Sequence, residues 1–228
     1  MKINVLIAAG IVISATFMYA CSEGNGKVET TADSVHHDDA SASHEHISSG
    51  NEEHDHMMKK MMDDMNAMKM AADVDLDFAN MMIPHHQSAV DMAKSYLPKA
   101  KDEKIKSMAQ NIINDQNKEI ADLKRLIASH KIEEVKGEIP SPGEVSEGHN
   151  ELLNAMNKMM EKMKGIQLTG DRDKDFVMMM IPHHQSAVEM ADKEISHGKD
   201  VEIKAFAQKM ISSQSREVKE FEQWLNSK

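Results

Sequence analysis

The 228-residue chain has a single cysteine, Cys21, so no intramolecular disulfide can staple it. Aromatic residues are almost as scarce, at 4% with one tryptophan, which suits packed helices and leaves little to fill a β-sandwich. Basic charge is also short. The 27 lysines and arginines are outnumbered by 38 aspartates and glutamates, and a formal charge of −11 argues against a nucleic-acid partner. The sequence shows no nucleophile–base pair and no glycine-rich phosphate loop, so the chain is expected not to be an enzyme. Methionine stands out instead, with 22 residues. As a flexible, unbranched side chain it fills helical cores well, and its thioether is a soft metal donor.

The first residues read as an export signal. Lys2 gives a positive start, residues 3–19 are almost wholly apolar apart from Asn4, and Met18-Tyr19-Ala20-Cys21 resembles a lipoprotein processing site. Residues 1–20 are therefore expected to be removed. Cys21 would then be acylated, anchoring the chain to a membrane as a periplasmic or cell-envelope lipoprotein. Outside the cytoplasm free thiols oxidise, whereas thioethers bind soft metals without deprotonation. Residues 21–53 carry acids and small polar residues with almost no large apolar side chain, the composition of a disordered tether. His36, His37, His44, His46, His54 and His56 form a spaced tract, a composition that binds transition metals loosely.

Ten residues, Met-Met-Ile-Pro-His-His-Gln-Ser-Ala-Val, occur identically at 81–90 and 179–188. Chance does not repeat such a string. The offset of 98 residues (81 to 179) also carries Met58, Met61, Met62 and Met65 onto Met156, Met159, Met160 and Met163. It carries Asp73, Asp75, Asp77 and Phe78 onto Asp171, Asp173, Asp175 and Phe176. The chain is thus expected to hold two equivalent units, residues 54–130 and 151–228, related by a pseudo-two-fold axis. The glycine- and proline-containing linker 131–150 would join them. Each unit reads as a Met-rich helix followed by a helical hairpin. Phe78, Met82, His85, Ala89, Met92 and Tyr96 recur at alternating four- and three-residue steps, a bundle seam that favours one helix running through Pro84. The fold expected is all-α: a four-helix bundle from two duplicated hairpins, flanked by the extra Met-rich helices.

At about 100° per residue, His85 falls about 20° from the seam centre and Met81, Met82 and Met92 fall within about 60° of it. His86 lies at the edge of that arc. The second copy places His183, Met179, Met180 and Met190 likewise, with His184 at the edge. One histidine in an apolar stripe is more often a hydrogen-bonded core residue than a ligand. Two His-His pairs, each flanked by in-phase methionines and duplicated, favour metal. Neutral imidazole with thioether suits Cu(I) or Ag(I), and the scarcity of seam carboxylates disfavours magnesium or calcium. On the following helix Gln116 and Glu119, and in the second copy Gln214 and Glu217, fall within the apolar stripe. They are candidates to hold an imidazole N–H behind the metal or, for the glutamates, to bind it directly. Gln87 and Gln185 point away from the seam and receive no ligand role.

The motif Met-Ile-Pro-His-His-Gln-x-Ala-Val-x-Met-Ala, followed by Gln-x-x-Glu-Ile on the next helix, resembles the DUF305 family. Residues 82–93 with 116–120 match it, as do 180–191 with 214–218, where Val218 replaces the final isoleucine. The resemblance implies a ferritin-like four-helix bundle in exported bacterial proteins. In some members it implies copper and silver binding through Met and His, here His85, His86, His183, His184 and their neighbouring methionines. The leading expectation is therefore a non-catalytic lipoprotein that sequesters Cu(I) or Ag(I), exchanging metal with copper-efflux or chaperone proteins. Two alternatives stand beside it. One is a ferritin-like dinuclear oxidoreductase using His85, His183, Glu119 and Glu217, although the Glu-x-x-His pairs of such sites are absent. The other is a helical interaction module without metal.

Overall fold

The computed structural model describes residues 52, 55–64, 67–68, 71, 73–130 and 147–228. The expected signal segment, Cys21, the tether apart from Glu52, and residues 131–146 of the linker lie outside them. Five helices are complete: α1 Val74–Tyr96, α2 Glu103–Ser129, α3 Glu147–Lys164, α4 Arg172–His197 and α5 Val201–Asn226. Residues 55–64 are also helical. Among the described residues there is no strand, and no helix is long and apolar enough to cross a membrane.

Aspartate starts each of the four long helices. Asp73, Asp102, Asp171 and Asp200 accept hydrogen bonds from first-turn amides, supplying partners that a helix N-terminus lacks. Pro84 and Pro182 sit inside α1 and α4 without ending them, as the uninterrupted seam requires. The helix α3 begins at Glu147, four residues before position 151.

Helices α1 and α2 form one hairpin and α4 and α5 the other, and α1 packs against α4 to join them. Helix α3 lies on α4. In the first repeat the Ser88 hydroxyl on α1 touches the Met61 sulfur at 3.2 Å, so residues 55–64 lie on α1 as α3 lies on α4. The core is dominated by methionine and alanine, with Phe78, Phe176 and Phe221 as its largest fully buried side chains. Phe176 stacks on Tyr96 (4.3 Å between centroids, 12° between planes) and meets Phe221 edge-on.

The pseudo-symmetry extends to the hairpin turns. Asp173 accepts the backbone amides of Lys101 and Asp102, and Asp75 accepts those of Lys199 and Asp200. Each of these buried carboxylates ties the start of one hairpin to the turn of the other. Tyr96 donates its hydroxyl to Asp173 at 2.5 Å. The equivalent of Tyr96 is Glu194, wholly buried near Asp75; burial, and then the facing Asp75, push its carboxyl up to about 9.

Candidate metal centre

Where α1 crosses α4, the His85 and His183 rings meet with centroids 3.9 Å apart and planes 42° apart. Both are fully buried. Burial, and then repulsion from the neighbouring imidazoles, hold both well below the ordinary histidine pKa, so each is neutral and keeps a lone pair near pH 7. Neither nitrogen of His85 has a hydrogen-bond partner, nor does His183 Nδ1. His183 Nε2 lies 2.6 Å from the Ser88 hydroxyl.

His86 and His184 flank this pair, each 6.2 Å from its sequence neighbour, with interplanar angles of 56° and 58°. They too are fully buried rather than at a seam edge. A helical wheel measures direction toward one neighbouring helix, and these two rings instead face the hairpin partners α2 and α5. His184 Nε2 lies in hydrogen-bonding geometry 2.8 Å from Glu217 Oε2. His86 Nε2 lies equally close to Glu119 Oε2 but outside hydrogen-bonding geometry. Glu119 thus meets His86 and not His85, and Glu217 meets His184 and not His183. A cleft of about 230 Å³ between α2 and α5 is lined by these two glutamates and by Gln116 and Gln214. Lys118, Lys209 and Arg216 line it as well, and Glu119 and Glu217 link it to the buried His86 and His184. Gln116 Oε1 and both amide atoms of Gln214 are buried without partners.

Buried polar atoms normally find a partner, because one left alone costs about 1–3 kcal/mol. Among the described residues, every buried side-chain nitrogen or oxygen lacking one belongs to the four histidines, the two glutamines or Glu194. Six of these seven residues are ones the sequence pattern selects, and they lie on the four helices of the two hairpins.

Of the expected thioether donors, Met82, Met180 and Met190 are fully buried, Met81 and Met92 nearly so, and Met179 is half-buried. Ser88 and Met61 were not expected at the site. The Ser88 hydroxyl touches both His183 Nε2 and the Met61 sulfur, which brings the Met-rich segment to the imidazole pair. On the other side, Ser186 contacts the Met156 sulfur at 3.8 Å and the Ala155 carbonyl at 3.3 Å. Both serines sit inside the duplicated string, the one signal that could have marked them. Gln87 donates to Asp91 on its own helix and Gln185 accepts from Lys162, both away from the imidazoles.

The arrangement defines a class: a duplicated helical bundle with a buried four-histidine centre at the junction of its repeats. The chain belongs to the family described as "Domain of unknown function (DUF305)", which matches residues 22–127 and 75–225. A solved structure of CopM in an Ag-bound form obtained by soaking is 33% identical and covers 67% of this chain and 95% of its own, with a TM-score of 0.48. CopM in a Cu(I)-bound form is 30% identical, covering 67% and 96%, with a TM-score of 0.47. The uncharacterized protein L153 of Acanthamoeba polyphaga mimivirus is 36% identical over 59 residues, 26% of this chain. The chain spans 39% of the length of that curated relative.

Proposed function

We propose that this protein binds Cu(I), and Ag(I) as its chemical analogue, at one centre shared by both repeats. His85 and His183 supply imidazole nitrogen, and thioethers from the set Met81, Met82, Met92, Met179, Met180 and Met190 supply sulfur. The reading is carried by the buried, neutral, nearly touching pair of rings with unpartnered nitrogens. Neutral imidazole is the form a metal needs, and low-coordinate nitrogen–sulfur sites favour soft monovalent ions. Glu119 and Glu217 hold His86 and His184 from behind and present carboxylates to the cleft, whose lining is of mixed charge. CopM, similar to this chain over nearly all of its own length, has been solved with Cu(I) and with silver, which supports the same metal class here.

The Ser88–His183 pair is buried and has no carboxylate behind the imidazole, so the role proposed is sequestration rather than catalysis. With a lipid at Cys21, the site would work at the cell envelope, handing metal to efflux or chaperone proteins. Anaerobic reconstitution with Cu(I), followed by dialysis against a moderate-affinity chelator, tests the reading. At least one equivalent of copper is expected to survive; complete loss to the chelator defeats it. The mass of the membrane-extracted protein, raised by an acyl-glyceryl group that Cys21→Ser removes, checks the anchor.

A further inference from the structure

Four helix ends converge away from the histidine centre. Asp73 starts α1, Asp200 starts α5, His130 follows α2 and Glu194 lies in the last turn of α4. His130 Nδ1 donates to Asp200 at 2.7 Å, and its Nε2 faces Asp73 at 3.2 Å. Asp73, Asp75 and His130 offer donor atoms all within 4.8 Å of one another. Beside Asp75 lies Glu194, fully buried, with neither carboxylate oxygen partnered. Gly198 makes room for it: a Cβ there would collide with Glu194 Oε1. Two carboxylates facing each other with no donor between them need a cation or a shared proton.

The duplication supplies an internal comparison. The offset of 98 residues carries Asp73, Asp75 and Asp200 onto the same aspartate frame in the other repeat: Asp171, Asp173 and Asp102. There the carboxylates are satisfied by ordinary donors. Tyr96 donates to Asp173, and Trp224 Nε1 and Lys228 Nζ donate to Asp102 at 2.9 and 3.0 Å. In the first frame each of those donors has changed. Glu194 stands where Tyr96 stands, His130 where Lys228 stands, and Leu126 where Trp224 stands. A phenol and an ammonium, which do not bind divalent metals at neutral pH, are replaced by a carboxylate and an imidazole, which do.

We propose that Asp73, Asp75, Glu194 and His130 form a second metal site for a divalent ion of the zinc(II) type, with Asp200 holding the imidazole from behind. Three carboxylates and one imidazole form an oxygen-rich set, suited to zinc(II) and poor for Cu(I). The donor atoms of Asp73, Asp75 and His130 already lie within 4.8 Å of one another, and Glu194, beside Asp75, has to turn toward them to complete zinc bonds of about 2.0–2.2 Å. The Asp200···H–Nδ1 contact selects the tautomer whose Nε2 lone pair faces Asp73, the usual support for a metal-bound histidine. Asp73 and Asp200, at 24% and 23% side-chain exposure, open the cluster to solvent.

The test is calorimetric titration of the metal-free full chain with zinc(II), compared with the double variant Glu194→Tyr/His130→Lys, which installs the residues of the other repeat. Loss of one equivalent, or at least a tenfold weakening of it, is expected, while Cu(I) retention stays unchanged. Zinc held by the tether histidines is common to both proteins and cancels. Glu194→Gln, which keeps the side-chain volume, gives the same reading should the double variant not fold. The converse variant His85→Ala/His183→Ala should keep the zinc equivalent, which separates this site from the copper centre. Equal zinc stoichiometry and affinity in wild type and in folded Glu194 variants overturns the proposal.

Discussion

Ser88 shows how much one hydroxyl decides. Its oxygen lies 2.8 Å from the His85 carbonyl, 2.6 Å from His183 Nε2 and 3.2 Å from the Met61 sulfur, yet it has one proton to give. Donation to the carbonyl lets it accept Nε2–H from His183, which leaves the lone pair on the unpartnered Nδ1. The serine therefore sets which imidazole nitrogen is available. Ser88→Ala strands a buried donor, and metal-free stability should fall by about 1–3 kcal/mol in urea unfolding. Ser186→Ala is the internal control. Its hydroxyl makes only the longer contacts to Ala155 and Met156, so its cost should be smaller. Equal costs for the two variants would refute the assigned role.

At the scale of the element, the helix starts carry an acid-sensitive device. Asp102 caps α2 and also accepts the Trp224 indole N–H and the Lys228 ammonium. Those two hydrogen bonds, the indole's first, pull its carboxyl from the usual 3.8 to about 2. Because the folded value is the lower one, this stabilisation is complete above pH 3.8 and disappears as pH falls toward 2. Asp102→Asn keeps the cap, since asparagine caps as well as aspartate, and removes the charge. The stability advantage of wild type over the variant, read by thermal unfolding, should shrink from pH 5 to pH 2; a constant difference refutes it. The helices themselves were legible, because the steps from Phe78 to Tyr96 and along Ile105, Met108, Ala109 and Ile112 are what burial on one face demands. The depth of His86 was not, since a seam measured on α1 says nothing of the face that α2 covers. Nor were the exchanges of Tyr96 for Glu194 and Lys228 for His130 read as chemistry. Aligned pairs reveal a role only once the facing Asp75 and Asp173 are known to lie beside them.

For the molecule as a whole, duplication leaves open whether two motifs make two sites or one. Ring centroids 3.9 Å apart put both imidazoles within reach of one ion, so the proposed copper site is read as shared. The proposed site lies where α1 packs on α4, the junction between the hairpins. On that proposal each half carries half of the binding centre, and folding the repeats together would create the affinity. The thermodynamic signature is non-additivity. His85→Ala and His183→Ala should each weaken Cu(I) binding at least tenfold, about 1.4 kcal/mol or more. Combining them should cost little beyond either alone, since the first substitution has already dismantled the pair. Chelator competition on the four proteins of this cycle measures the coupling directly. Independent half-sites would instead lose one equivalent per substitution, with costs that sum.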